Sequence, residues 1–346
     1  MPNALGVYIF KKEDSYTISM TWLVTGGAGY VGAHVVSQAT NSGFNVVVLD
    51  DLSTGVSRRL ESNIPLRKIS LQDNDALNIL FEDFAFEGVV HIAAKKRVDE
   101  SIEKPEYYWQ ENVGGLNNLL NAIRTHNIKN FVFSSSAAVY GQPNVPYGTL
   151  ITEETPCIPI NPYGATKREG EVLSCAMAES SELKVVALRY FNVAGAGRPE
   201  LGDQYAFNLV PIVFDAFERE EQPLVFGSEY STPDGSCVRD YVHVQDLAES
   251  HIAAMNFVEN SKPGFTAINI GTGEGASVFE VLSMIQEVTG KEISPINAPP
   301  RDGDPASLIA DVSKAKEVLN WSSGRDLREI VESAWEAWKF NKGGHS

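Results

Sequence analysis

Cysteine is scarce in this chain. There are three in 346 residues, Cys157, Cys175 and Cys237, too few and too scattered for a disulfide framework or a thiolate zinc site. They read as reduced thiols that fill space, and the expectation is a cytoplasmic protein that holds no metal. Basic residues are short as well: 28 Lys and Arg stand against 45 Asp and Glu, for a net charge of −17. That balance argues against non-specific nucleic-acid binding, which runs on basic patches. It still allows an anionic small molecule held by a few local Arg and Lys. No apolar run is long enough to span a bilayer, so no membrane partner is expected. Val7 to Phe10 are apolar, but Lys11, Lys12, Glu13 and Asp14 follow at once, which is not the order of a secretory signal. There is no internal repeat and no low-complexity segment.

What is present is an alternation of strand and helix. The fold-like pattern begins at Thr21, so residues 1–20 read as a loosely attached extension, with Met20 as an alternative start. Trp22 to Thr25 is a short buried strand, followed by a glycine-rich turn and an apolar helix through about Thr40. Asn45 to Leu49, Gly88 to Ala93, Phe131 to Ser134 and Val185 to Arg189 are further apolar strands, with helical stretches between them such as Asn112 to His126. This predicts an α/β fold: a Rossmann-type doubly wound parallel sheet with helices on both faces. Past Tyr190 the rhythm loosens and Gly and Pro accumulate. Asn208 to Glu220 and Val278 to Gly290 read as helices, and Leu327, Ile330, Val331, Ala334, Trp335 and Trp338 recur at helical spacing as a packed terminal helix. The change of rhythm divides the chain near residue 190, into a larger unit over 21–190 and a smaller C-terminal α/β lobe over 191–346. The ends beyond these, after Phe340, read as frayed.

The first strand and helix are joined by Thr25-Gly26-Gly27-Ala28-Gly29-Tyr30-Val31-Gly32. Glycine lets such a turn close, lets backbone approach a pyrophosphate, and lets helix pack on strand. The helix N-terminus supplies N–H donors for phosphate oxygens. Gly26, Gly29, Tyr30, Val31 and Gly32 are the candidate cradle. Asp50, with Asp51 beside it, ends the second strand, where a carboxylate accepts from ribose hydroxyls and repels a 2′-phosphate. The expected cofactor is therefore NAD.

Tyr163 and Lys167 stand four residues apart behind Pro162. If Pro162 opens a helix, both side chains leave one face. A free phenol, with a pKa of about 10, is almost fully protonated at neutral pH. A cation a few ångströms away favours the phenolate. Such a tyrosine can take a proton from an alcohol while a hydride leaves the same carbon. His91 and His243 lie in apolar strands and read as packing residues with no chemistry assigned.

Taken together, several motifs carry a resemblance. They are the glycine run, Ser134-Ser135-Ser136-Ala137-Ala138-Val139-Tyr140-Gly141, the Tyr163/Lys167 pair and Leu188-Arg189-Tyr190-Phe191-Asn192. With them go Arg239-Asp240-Tyr241-Val242-His243-Val244, Gly271-Thr272-Gly273 and Arg301-Asp302-Gly303-Asp304. This set resembles the extended short-chain dehydrogenase/reductases, and within them the enzymes that epimerise C4 of UDP-hexoses. The resemblance runs from about Thr21 to Trp321 and implies an NAD-binding domain over 21–190, rejoined by a segment near 237–255, with a nucleotide-sugar-binding lobe over 191–346. It implies that Tyr163 is the acid/base, that Lys167 holds the nicotinamide ribose and lowers the phenol's pKa, and that Ser136 hydrogen-bonds the sugar's 4-oxygen. By the same resemblance Lys96, Asn112 and Tyr190 line the cofactor. Asn192, Asn208, Leu209, Arg239, Arg301 and Asp304 line the nucleotide-sugar site. The implied reaction interconverts UDP-glucose and UDP-galactose through a transient 4-keto sugar with NAD tightly bound, in a homodimer.

Rival readings on the same scaffold are another UDP-sugar epimerase, such as one for UDP-N-acetylglucosamine, and a non-catalytic NAD-binding sensor. The dehydratases and decarboxylases of this family carry acids just after the Ser/Thr, where this chain has Ala137 and Ala138. Two positions depart from the family pattern. Leu71 stands where an Asp usually meets the adenine, leaving Asp73 as a substitute through a shifted loop or the contact absent. Leu308 stands where a bulky tyrosine excludes N-acetylated sugars and a small residue admits them; leucine is intermediate, so glucose and galactose forms are the expected main substrates.

Overall fold

The computed structural model describes residues 21–301 and 304–343. The expected N-terminal extension, and Asp302 and Gly303 of the Arg301 motif, lie outside the described residues. The first half of the chain runs β1 (Thr21–Thr25), α1 (Tyr30–Asn41), β2 (Asn45–Leu49), β3 (Leu66–Arg67), α2 (Asn74–Asp83) and β4 (Gly88–His91). Short helices α3 (Val98–Glu103) and α4 (Pro105–Tyr108) pass through a π-helical turn, Trp109–Gly114, into α5 (Gly115–Thr125). β5 (Asn130–Ser136), α6 (Pro162–Ser180) and β6 (Lys184–Tyr190) follow. The second half contains β7 (Asn192–Ala194), α7 (Leu209–Glu218), β8 (Leu224–Phe226), β9 (Val238–His243) and α8 (Val244–Asn260). It continues with β10 (Gly264–Ile270), β11 (Gly275–Ser277), α9 (Val278–Thr289), β12 (Ile296–Ala298), β13 (Ser307–Leu308), α10 (Ser313–Leu319) and α11 (Leu327–Lys342).

Seven strands form one parallel sheet in the order β3-β2-β1-β4-β5-β6-β10. Alternate strand residues feed opposite faces, as the pleat requires. Trp22, Val24, Val46 and Val48 pack with Val35, Val36, Leu247 and Met255 under α1 and α8. Leu23, Val47 and Leu49 pack with Leu77, Leu116, Leu119 and Leu120 under α2 and α5. Burial on both faces is why these strands read as continuous apolar runs. The chain order reverses between β1 and β4, and ligands of open α/β sheets bind in the crevice at such a point, beyond the strands' carboxyl ends. α8 and β10 both belong to the main sheet layer, while β9 before them lies in the smaller sheet.

The smaller lobe has its own core. Val210, Val213 and Phe214 meet Val281, Ile285, Ile330, Val331 and Trp338 where α7, α9 and α11 converge. Its sheet centres on β9, flanked by β7, β11 and β13. Asp240 on β9 is fully buried and accepts from Thr272 N and Thr272 Oγ1, both at 2.8 Å, from Gly273 N at 3.0 Å and from Ala310 N at 3.2 Å. Two of the sequence motifs, 239–244 and 271–273, are thus one construction: a buried carboxylate gathers a turn and a strand end around itself.

Candidate active site

The glycine turn follows β1 directly. Gly26 adopts φ of +72°, and a Cβ there would lie 2.7 Å from Ala93 N. A Cβ on Gly32 would lie 2.0 Å from Gly26 O. Both positions demand glycine, and the turn they make sets α1 close behind β1. The N-cap of α1 is Gly29, with no side-chain capping bond and no acid in the first turn. The N–H groups opening this twelve-residue helix are therefore left for an anion, which suits a pyrophosphate. Asp50 is buried. Its Oδ2 accepts from Ala28 N at 2.9 Å and its Oδ1 from Leu52 N at 2.8 Å, so it ties the glycine turn to the end of β2. Burial pushes its carboxyl up, and those two backbone bonds oppose the rise. Asp51 accepts from Ser53 N and faces Lys95 Nζ at 3.9 Å. This donor and acceptor set fits a dinucleotide with free ribose hydroxyls.

The other cofactor candidates divide. Tyr30 donates from its hydroxyl to Gly195 O at 2.6 Å, bridging α1 to the smaller lobe, and Val31 packs against the core beside it. Lys96 Nζ lies 5.8 Å over the Tyr30 ring and 3.9 Å from Asp203. Asn112 is buried, and its amide is engaged within the protein. Its Oδ1 accepts from Lys95 N at 2.7 Å, and its Nδ2 donates to Lys95 O and to Thr166 Oγ1, both at 3.0 Å. It therefore anchors the loop after β4 to α6. Asp73 caps α2 by accepting from Ala76 N at 3.0 Å. Leu71 faces α5, where Asn118 donates to its carbonyl at 2.9 Å.

The reacting end lies between β5 and α6. Asn161 caps α6 by accepting from Gly164 N at 2.8 Å, and Pro162 occupies the first turn, as the sequence predicts. A Cβ on Gly164 would lie 2.5 Å from Ala138 O, and one on Gly170 2.5 Å from the Phe133 ring. These two glycines bring α6 hard against β5 and its following turn. Tyr163 is buried, with the Ser136 side chain as a polar neighbour of its phenol. Tyr190, opposite Ser136 in the sheet, is half-buried with Ser134 as a neighbour of its phenol.

Lys167 is held from within the protein. It is 4 % exposed, donates from Nζ to Ser134 O at 2.7 Å and lies 5.3 Å over the Phe133 ring. The physical reason is desolvation: a buried ammonium takes the nearest strong acceptor, here the carbonyl near the end of β5. Burial accordingly drives Lys167 down to about 8, with the Glu171 charge opposing. Burial also pushes the Tyr163 phenol above its ordinary value, opposed by the Ser136 side chain. Within the protein alone the phenol is held in its protonated form. His91 and His243 pack as expected: His91 bonds Thr25 Oγ1 at 2.7 Å, and His243 bonds Ser333 Oγ at 2.9 Å and caps α8.

Across the crevice, β13 pairs with β9 so that Leu308 stands opposite Arg239. Arg239 donates to Asp304 Oδ1 at 2.8 Å, and Arg301 lies 3.9 Å over the Phe226 ring. Leu308 packs with Ala137 and Phe191, which flank Ser136 and Asn192 in the chain. Asn192 is exposed on β7. Asn208 is the N-cap of α7 without a side-chain cap bond, its Nδ2 3.4 Å from Asp203, and Leu209 opens the helix. Asp203, Thr166 and Glu171 escaped the sequence reading. Glu171 alone had a signal there, since it continues the four-residue step from Tyr163 and Lys167. No cluster of metal-binding side chains occurs among the described residues, and no helix among them is long and apolar enough to cross a membrane.

A dinucleotide-binding sheet facing a Ser–Tyr–Lys cluster defines the class: a nicotinamide-dependent enzyme acting on an alcohol carbon. The chain belongs to the NAD dependent epimerase/dehydratase family, whose model matches residues 22–271. It is 43 % identical over 319 residues to a UDP-glucose 4-epimerase of Corynebacterium glutamicum, covering 91 % of this chain and 95 % of that one. Among solved structures, the UDP-glucose 4-epimerase of Brucella ovis in complex with NAD superposes with a TM-score of 0.87 at 37 % identity, covering 92 % of this chain and 98 % of that one. The Thermotoga maritima enzyme with UDP-glucose gives 0.83 at 34 % identity, covering 93 % and 99 %.

Proposed function

We infer that this chain interconverts UDP-glucose and UDP-galactose by inverting C4 of the hexose, with NAD as its resident cofactor. The observation that carries the reading is the Ser136–Tyr163 pair without a neighbouring acid. Ala137 and Ala138 follow Ser136, and the first turn of α6 has no acidic residue. Elimination of water or loss of carboxylate after oxidation needs a second proton-transfer group. Here Tyr163 must both take the proton and return it.

The chain's residues divide the work as follows. Ser136 holds the sugar's 4-oxygen and Tyr163 moves its proton. Lys167, fixed on the Ser134 carbonyl, positions the nicotinamide ribose and contributes positive charge behind the phenol. NAD would supply a hydride acceptor and donor at C4 and, in its oxidised form, a cationic ring near the phenol. Gly26, Gly29, Tyr30, Val31 and Gly32 hold its pyrophosphate, Asp50 and Asp51 its adenosine ribose, and Lys96, Asn112 and Tyr190 shape the remainder of its site. Arg239 and Arg301 meet the substrate diphosphate, because a guanidinium offers paired donors to phosphate oxygens. Asn192, Asn208, Leu209 and Asp304 shape the nucleotide site around them. Firm grip on the nucleotide and loose grip on the hexose let the keto sugar present either face. A coupled assay for UDP-glucose formed from UDP-galactose tests the reading.

Leu308 limits the room beside Ala137 and Phe191. Replacing Leu308 by Ser is expected to raise the rate on UDP-N-acetylglucosamine relative to UDP-glucose by about tenfold, the discrimination a few methylenes provide. An unchanged ratio shows that Leu308 does not gate. The chain is further proposed to work in the cytoplasm as a homodimer through α3–α6, where Ile102, Tyr107, Trp109 and Val172 are exposed apolar side chains. Sedimentation is expected to give twice the chain mass; a monomer at micromolar concentration contradicts it.

A further inference from the structure

Three rungs join β5 to α6. The Ser136 hydroxyl meets the Tyr163 phenol, the Ser134 carbonyl accepts from Lys167 Nζ at 2.7 Å, and Ser135 Oγ donates to Glu171 Oε1 at 2.6 Å. Residues 163, 167 and 171 form one stripe, since four-residue steps return to nearly the same helix face. The first two rungs carry the proposed chemistry, whereas the third has no assigned task.

That third rung is nevertheless the most heavily built. Glu171 is fully buried and receives both arms of Arg189, Nε at 2.8 Å and Nη2 at 2.7 Å. Arg189 stands opposite Ser135 in the sheet. It also donates to the Tyr140 hydroxyl at 3.0 Å and to Glu153 O at 3.2 Å. Tyr140, on the turn after Ser136, donates to Asn269 Oδ1 at 2.6 Å on β10. One carboxylate thus ties together α6, β5, β6 and the turn that follows Ser136. Buried ion pairs gain little net stability over apolar side chains, so stability alone is a weak account of this one.

We propose that Glu171 is a positioning residue for the reaction: its carboxylate fixes the register of α6 on β5 and stands one turn beyond Lys167 on the same helix face, as a carboxylate behind the ammonium. The proposal rests on the epimerase reading above. Geometry supports the first half, because the same helix face and the same three serines carry all three rungs. A slip of α6 along β5 by a fraction of a turn breaks Ser136–Tyr163 and Ser134–Lys167 together. The groups around Lys167 support the second half. From its own helix come Tyr163 and Glu171. From β5 come the Phe133 ring and the Ser134 carbonyl. From β4 comes His91, which burial and the Lys167 charge hold neutral, at about 3. From β6 comes Arg189, bound to Glu171, and from α6 itself Arg168, whose Nη1 lies 3.5 Å from Glu171 Oε2. Burial pulls Lys167 down to about 8 and the Glu171 charge opposes that pull.

The sign follows directly. Activity that needs the ammonium is lost as pH rises through the Lys167 value, and removing the Glu171 charge lowers that value. In the NAD-loaded holoenzyme, Glu171→Gln is expected to move the alkaline limb of the kcat profile down by at least about half a pH unit. The kcat at the optimum should fall roughly tenfold, with KM for UDP-galactose and NAD content unchanged. Glu171→Asp keeps the charge, so its alkaline limb should stay with the wild type although kcat falls. A Glu171→Gln profile superimposable on the wild type overturns the proposal while leaving the epimerase reading intact. A wild-type chain without turnover at saturating NAD sinks that reading and this proposal with it. If Glu171→Gln does not fold, Ser135→Ala decides. It deletes the 2.6 Å rung but leaves the Arg189 pair, and kcat should drop severalfold at constant KM; an unchanged kcat overturns the proposal.

Discussion

Tyr163→Phe is expected to lower kcat for UDP-galactose epimerisation by about 10²–10⁴-fold, the usual contribution of a positioned acid/base. The substitution deletes one oxygen from a buried ring and leaves the packing of α6 on β5 in place. The phenol's polar neighbour is Ser136, whose hydroxyl accepts from Ala138 N at 3.2 Å and so stays oriented. Bound NAD and the thermal midpoint should therefore change little. The size of the loss follows from the environment. With Ala137 and Ala138 beside Ser136, no neighbouring side chain there can substitute for the phenol. Burial holds the phenol in its protonated form within the protein alone, so its activation depends on positive charge gathered in the loaded site, Lys167 included. Activity retained in Tyr163→Phe contradicts the assigned role.

Gly32→Ala is expected to yield protein that purifies with little or no bound NAD. A Cβ at this position lies 2.0 Å from Gly26 O and 2.8 Å from Gly27 Cα, both backbone atoms that cannot rotate away. Either the glycine turn or the first turn of α1 must shift. Overpacking of this kind costs about 1–3 kcal/mol, which is roughly ten- to a hundredfold in affinity if it falls on the cofactor-bound state. The sheet is formed by strand pairing remote from this contact, so far-UV circular dichroism should stay close to wild type. One equivalent of NAD released on denaturing Gly32→Ala would show that the turn tolerates the methyl and is not the cradle described.

The parallel sheet was legible because its strands are buried on both faces and so announce themselves as apolar runs between helices. β2 matches its expected bounds, Asn45–Leu49, and the Pro162 start of α6 was equally plain. The glycine turn and Asp50 could be placed because their spacing is dictated by local backbone geometry. What stayed hidden depends on long-range partners. Helix spacing brings Tyr163 and Lys167 to one face, as the sequence suggests. Spacing says nothing of the carbonyl at Ser134, which lies 33 positions back along the chain and captures the ammonium. Asn112 read as a cofactor residue; that its amide ties the loop after β4 to α6 through Lys95 and Thr166 shows only in the packed structure. Glu171 had half a signal, the repeated four-residue step, but its partner Arg189 sits on another strand. Asp240 was quoted within a motif, while its four donors come from two other segments.

The central claim is that this family member performs oxidation and re-reduction at a single carbon, with NAD ending unchanged. Incubating the purified chain with UDP-galactose, assaying UDP-glucose by a coupled reaction, and identifying the cofactor released on denaturation tests it most directly. The account predicts steady conversion to a mixture of the two UDP-hexoses with no net NADH formed and NAD recovered from the protein. Absence of turnover with NAD saturating, or NADH accumulating in proportion to the sugar consumed, would contradict it.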